Sequence, residues 1–206
     1  MLGIMAFGAT QGWSRSSGWY DLTQRLLGKA RVYRMLLDEY AQPAAGMRVL
    51  DVGCGTGGLL GYLPAVDYVG FDASARHVDR ARRRFGARGQ FLVADVLDVN
   101  LPAASFDLAF AVGVLHHLDD ARVRACLRVI ARSLKPDGRA VLLEPCRLPR
   151  QPLTATVVHK ADRGAFIRSR EDYERLLEAG FAEFRVSPRL DVLRFPTAHV
   201  VIECRR

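Results

Sequence analysis

Arg48-Val49-Leu50-Asp51-Val52-Gly53-Cys54-Gly55-Thr56-Gly57-Gly58, followed by Tyr68-Val69-Gly70-Phe71-Asp72, decides the reading of this chain. Val49, Leu50 and Val52 form a short apolar strand. Gly53, Gly55 and Gly57 then let the backbone turn tightly and approach a ligand that any Cβ would push away. In an open α/β sheet that ligand belongs at the strand's carboxyl end, and Asp72 closes the next apolar run, where a carboxylate can accept both hydrogen bonds of a ribose diol. The stretch reads as a nucleotide-cofactor site.

Two cofactors suit that pattern. Gly53, Gly55 and Gly58 satisfy the G-x-G-x-x-G fingerprint of dinucleotide sites, with Asp72 near the expected spacing of about 20 residues. Asp51 tips the balance: an acid two residues before the first glycine repels a pyrophosphate and attracts an ammonium. S-adenosylmethionine carries an ammonium and no phosphate. None of the six tyrosines has a lysine four residues on, so the Tyr-x-x-x-Lys pair of a short-chain dehydrogenase is missing.

The segment from about Arg48 to Pro145 resembles the core of the class I S-adenosylmethionine-dependent methyltransferases. Four pieces match in order: Val49 to Gly57, Val69 to Ser74, the acidic Ala94-Asp95-Val96, and Phe106 to Leu118 with Leu134 to Pro145. The resemblance implies a Rossmann-like, doubly wound α/β sheet of seven strands in the order 3-2-1-4-5-7-6, the last strand antiparallel. It also implies a cofactor set of Asp51 at the ammonium, Gly53, Cys54, Gly55 and Gly57 along the amino-acid and ribose parts, Asp72 and Ala73 at the ribose, Asp95 and Val96 at the adenine, and Val112 beside them. Asp98 competes for the adenine role. S-adenosylhomocysteine is the product this implies.

With 206 residues, the chain suits one well-buried α/β domain and is short for two. Within it the resemblance suggests an N-terminal helical lid over 1–45, a cofactor core over 46–145, an acceptor-side insertion over 146–170 and a closing helix and hairpin over 171–206. No apolar run approaches the ~20 residues of a membrane span, and no leader pattern opens the chain, so a cytoplasmic protein is expected. Cys54, Cys126, Cys146 and Cys204 lie far apart without a C-x-x-C pair, which favours reduced thiols and no metal site. The net charge of +8 raises nucleic acid as a partner. However, Arg76, Arg80, Arg82, Arg83 and Arg84 fall on the helix after the second strand, opposite the apolar Val78, Ala81 and Phe85, and read as its solvated face.

Periodicity predicts helix over Asp21 to Tyr40, broken near Gly28, and a helix after Gly57. Further helices are expected from Ser74, over Ala121 to Leu134 and over Glu171 to Ala179. Strands are expected at Tyr68 to Asp72, Gln90 to Ala94, Phe106 to Val112, Arg139 to Leu143, Phe181 to Ser187 and Thr197 to Cys204, with Pro136-Asp137-Gly138 as a turn.

Three residues near the ends of the fourth and fifth strands are candidate general bases: His117, His116 and Glu144. Methyl transfer is an in-line displacement in which positioning supplies most of the acceleration, so a base is needed only for a nucleophile of high pKa. Each candidate also has a structural reading, as a residue that fixes the loop. The family's Asn/Asp-Pro-Pro-Tyr run is absent after the fourth strand, where Val112-Gly113-Val114-Leu115-His116 stands instead. That departure favours a small-molecule acceptor over nucleic acid. Trp13, Trp19 and Tyr20 are candidate lid aromatics, with Tyr20 toward the substrate. The basic run from Cys146 to Arg170 suggests an acceptor carrying carboxylate or phosphate, with Arg168 as its clamp. The competing readings are a nicotinamide-dependent oxidoreductase on the same loop, and a protein that binds the methyl donor without transferring its methyl, or cyclises it.

Overall fold

The computed structural model of the protein describes residues 28–161 and 166–206. Its strands are β1 (Arg48–Val52), β2 (Asp67–Asp72), β3 (Gln90–Val93), β4 (Phe106–Val112), β5 (Leu134–Arg147), β6 (Arg168–Ser169), β7 (Glu183–Arg189) and β8 (His199–Arg205). The α-helices are α1 (Lys29–Met35), which continues as a π-helix over Leu36–Ala41, α2 (Ala75–Phe85), α3 (Asp120–Ser133), α4 (Leu153–Ala161) and α5 (Arg170–Leu177). The sheet runs β3-β2-β1-β4-β5-β8-β7, with two-residue β6 joined to the end of β5. This is the expected Rossmann-like order; the extra β6 shifts the numbering by one. Among the described strands β8 alone runs opposite to the rest, antiparallel to both β5 and β7.

Period-two alternation along the central strands divides the core into two layers. Leu50, Val52, Phe71, Ala109 and Ile202 face one side, with Leu127 and Ile130 of α3 and Tyr173 of α5. Val49, Tyr68, Leu108, Phe110 and Val201 face the other, with Val32 of α1 and Val78 of α2. Strands covered on both faces read as near-continuous apolar runs, which is what the sequence displays at β1 and β4.

Local signals place the helix ends. The Ser74 hydroxyl accepts from the His77 N–H at 3.4 Å, and Asp119 caps α3 by accepting from the Arg122 N–H at 2.9 Å. Arg76, Arg82, Arg83 and Arg84 are exposed on α2, the solvated face its pattern called for. Where an α-helix was expected after Gly57 there is instead a short 3-10 helix, Gly58–Tyr62. Leu59, Leu60 and Leu63 are buried and Pro64 follows, so the segment stops before a longer helix can form. Helix α4 was not expected, since its β-branched Thr154, Thr156, Val157 and Val158 give a weak helical signal.

Pro136-Asp137-Gly138 forms a bulge inside β5 rather than a turn before it. Phe106 pairs with Leu134 and Leu108 with Arg139, so β5 advances five residues while β4 advances two. A Cβ on Gly138 would stand 2.9 Å from the Phe106 carbonyl oxygen, which is why glycine is needed there. The predicted helix before residue 28, with Trp13, Trp19 and Tyr20, lies outside the described residues. All four cysteines are free and buried, and no described helix is long and apolar enough to cross a membrane.

Gly70 is a second site of close approach. An added Cβ would meet the Tyr68 hydroxyl at 2.8 Å and the Cys54 Cβ at 2.9 Å. Gly70→Ala is expected to cost about 1–3 kcal/mol by overpacking, read as a lower urea midpoint at unchanged slope.

Candidate functional site

β1 and β4 are adjacent parallel strands, but the chain leaves β1 toward β2 on one side and β4 toward β5 on the other. At their carboxyl ends the two connections diverge and leave a cleft, the topological switch point at which open α/β sheets bind ligands. Asp51, Gly53, Cys54, Gly55, Asp72, Ala73, Asp95, Val96, Val112 and His117 all line it. Gly57 does not. Its Cβ position points at Phe91 (2.9 Å) and Phe85 (3.1 Å), so this glycine serves packing under the loop.

Two glycines shape the cleft for different reasons. A Cβ on Gly53 would lie 2.6 Å from the Val114 side chain, so the loops after β1 and β4 meet only because that position is bare. Gly55 has φ +54° and faces open space, leaving backbone exposed to a ligand.

Asp72 ties these parts together. One carboxylate oxygen accepts from the Gly55 N–H at 2.9 Å and the other from the Ser74 N–H at 2.8 Å. His77 Nδ1 lies 3.4 Å from the second oxygen. Burial alone would raise its pKa, but these contacts with His77, Ser74 and Gly55 outweigh it and hold the carboxyl below its ordinary range. Each oxygen keeps a second lone pair, so the group can still accept from a diol.

Asp51 is nearly fully buried and accepts a 2.6 Å hydrogen bond from the Tyr68 hydroxyl. Burial pushes its pKa up to about 7, against the opposing effects of the Tyr68 hydrogen bond and the Lys29 charge. Lys29 and Tyr33 of α1 line the same end of the cleft. At the other end Asp95 is ion-paired with Arg122 and accepts from the Leu97 N–H at 3.0 Å, while Val96 is buried beside it. Asp98 is exposed and not among the lining residues.

Residues 49–138 match a family model described as a methyltransferase domain. The chain is 31% identical over 153 residues to phosphoethanolamine N-methyltransferase 3 of Arabidopsis thaliana, covering 71% of this chain and 31% of that protein. It is 35% identical over 153 residues to the O-methyltransferase cnsE of Penicillium expansum, covering 68% and 53%. The fold matches a crystal structure of a TehB-like SAM-dependent methyltransferase from Corynebacterium glutamicum with TM-score 0.67 at 24% identity, covering 91% of this chain and 96% of that one. Residues 49–138 are a methyltransferase domain, set in a sheet with the fold of the S-adenosylmethionine-dependent methyltransferases. The chain spans about a third of the length of the first relative and about half of the second.

The residues of the cleft suit S-adenosylmethionine, the cofactor that the sequence resemblance implies. A buried acid stands where an ammonium belongs, bare backbone at Gly55 faces the cleft, and Asp72 retains acceptor capacity for a ribose. Lys29, Tyr33, His77 and Arg122 are lining residues that the sequence reading missed. Each reaches the cleft through tertiary placement, and none has a motif of its own.

Two expected catalytic residues are structural instead. Glu144 is fully buried: one oxygen accepts from the Val114 and Leu115 N–H groups, both at 2.8 Å, and the other from the His116 N–H at 3.3 Å, with His116 Nδ1 2.7 Å away. Glu144 and His116 therefore hold the short 3-10 turn Leu115–His117 from within the core. Arg168 grips the same turn from outside. It is 5% exposed, bonded to Asp120 at 2.7 Å, and donates to the carbonyls of Leu115 at 2.9 Å, Leu118 at 2.7 Å and Phe166 at 3.2 Å. A guanidinium so fully used is no clamp for an acceptor. Of the three proposed bases, His117 alone lines the cleft, its ring 3.9 Å from that of His116. Tyr20 lies outside the described residues.

The Asp51 carboxyl links stability to pH. Its folded pKa of about 7 exceeds its ordinary value of 3.8, so folding favours the protonated acid and loses stability as pH rises through that interval. Asp51→Asn cannot ionise. Its stability relative to the native protein is expected to rise between pH 4 and pH 8, gaining about 2–4 kcal/mol, measured by urea unfolding at each pH.

Proposed function

We propose that this chain binds S-adenosylmethionine in the cleft and transfers its methyl group to a small-molecule acceptor. The observation that carries this reading is the buried carboxyl of Asp51 beside the glycine loop. A dinucleotide's pyrophosphate is normally met by a helix N-terminus after such a loop. Here it would meet an acid, and the loop runs into the short 3-10 helix Gly58–Tyr62. An ammonium suits that surrounding and a diphosphate does not.

When bound, the cofactor supplies an electrophilic methyl group on a sulfonium. The chain's own residues bind and orient. Asp51 pairs with the ammonium, Gly53, Cys54 and Gly55 offer backbone along the amino-acid end, and Asp72 accepts from the ribose hydroxyls. Asp95 and Val96 hold the adenine, and Val112 and Val114 keep the site's floor apolar. His117 takes a proton from an acceptor that needs to lose one. With Arg168 committed to the turn, an anionic acceptor draws its support from the relative named for phosphoethanolamine. The other relative is named for O-methylation.

Calorimetry with S-adenosylhomocysteine, NAD⁺ and Asp72→Ala tests the donor. Micromolar binding of S-adenosylhomocysteine alone, weakened about 10-fold or more by the substitution, is expected; binding of NAD⁺ alone would overturn the reading. Transfer of labelled methyl to phosphoethanolamine and to phenols then tests the acceptor class. With an acceptor in hand, His117→Asn is expected to lower kcat about 100-fold while donor affinity holds. Release of methylthioadenosine without any acceptor would mark a cyclase instead.

A further inference from the structure

Tyr68 carries a buried hydroxyl that neither the family pattern nor the proposed chemistry has used. It lies on β2 two residues before Gly70, so the two share a face, and Gly70 is the register partner of Asp51 on β1. Gly70 and Gly89 leave room for its ring: a Cβ on the first would stand 2.8 Å from the hydroxyl, and one on the second 2.7 Å from the ring. The side chain therefore runs along its own strand, over the bare Gly70, and its hydroxyl reaches the Asp51 carboxylate at 2.6 Å. Phe91 supports the ring at a centroid distance of 5.4 Å.

We propose that Tyr68 is a positioning residue of the donor site, whose hydroxyl fixes the Asp51 carboxylate for the ammonium of S-adenosylmethionine. The inference rests on the donor reading above. A carboxylate free to turn about its last torsion would pay orientational entropy on binding, and one without a donor would favour protonation in so buried a place. Tyr68 opposes both. Lys29 and Asp72 are the other charged groups acting on Asp51.

The test compares two ligands. S-adenosylhomocysteine carries the amino-acid end, whereas methylthioadenosine shares the nucleoside and thioether and lacks it. Tyr68→Phe keeps the ring, the Phe91 contact and the glycine cradle, and removes only the donor. It is expected to weaken S-adenosylhomocysteine about 10-fold in calorimetry and to change methylthioadenosine by less than about 2-fold. On an Asp51→Asn background the same substitution is expected to have little further effect on S-adenosylhomocysteine, since the charge that it serves is gone. Equal weakening of both ligands, or additive loss in the double variant, would reduce Tyr68 to packing and overturn the proposal. A native protein that binds neither ligand would overturn the donor reading itself. Near-ultraviolet circular dichroism of the variants separates these outcomes from a failure to fold.

Discussion

The carboxylate of Asp72 holds the site together. It stands at the tip of β2, yet it accepts from the N–H of Gly55 in the loop after β1 and from the N–H of Ser74 at the start of α2. Three chain segments thereby share one charge. Their N–H groups, with the neighbouring His77, make it favourable to keep that charge partly buried. The loop cannot drift away from β2 without stranding the acid. The acid retains capacity for a ligand because each backbone contact uses one lone pair only.

The rest of the cleft follows from absent side chains and buried anchors. Bare backbone at Gly53 lets the loops after β1 and β4 touch, and bare backbone at Gly70 lets Tyr68 lie along its strand to Asp51. Glu144 secures the turn after β4 through its N–H groups and Arg168 secures it through its carbonyls, so His117 is presented from a turn clamped on both sides. Charge is thus used in two ways. Glu144 and Arg168 satisfy backbone and stay inside, whereas Asp51, Asp72 and Asp95 border the space that a ligand would fill.

What the sequence made legible was local. The apolar runs at β1 and β4, the alternating glycines and the acid closing β2 are short-range patterns, and the sheet order follows from them through the family resemblance. The α-helix expected after Gly57 fails for a local reason too, because Pro64 leaves no room. The roles of Glu144, His116 and Arg168 could not be read that way. A polar residue at a strand end looks the same whether it faces a cleft or caps a neighbouring turn. For Glu144 the difference lies in its sharing a face with Ala140 and Leu142, against the α3 layer. Tyr68 was hidden likewise: its partner is set by the pairing of β1 with β2, which no single stretch encodes.

A crystal structure of the complex with S-adenosylhomocysteine tests the central claim most directly. The account predicts the ribose hydroxyls on Asp72 and the ammonium on Asp51, with the Tyr68 hydrogen bond retained. A ligand seated elsewhere, or one whose amino-acid end points away from Asp51, would contradict it.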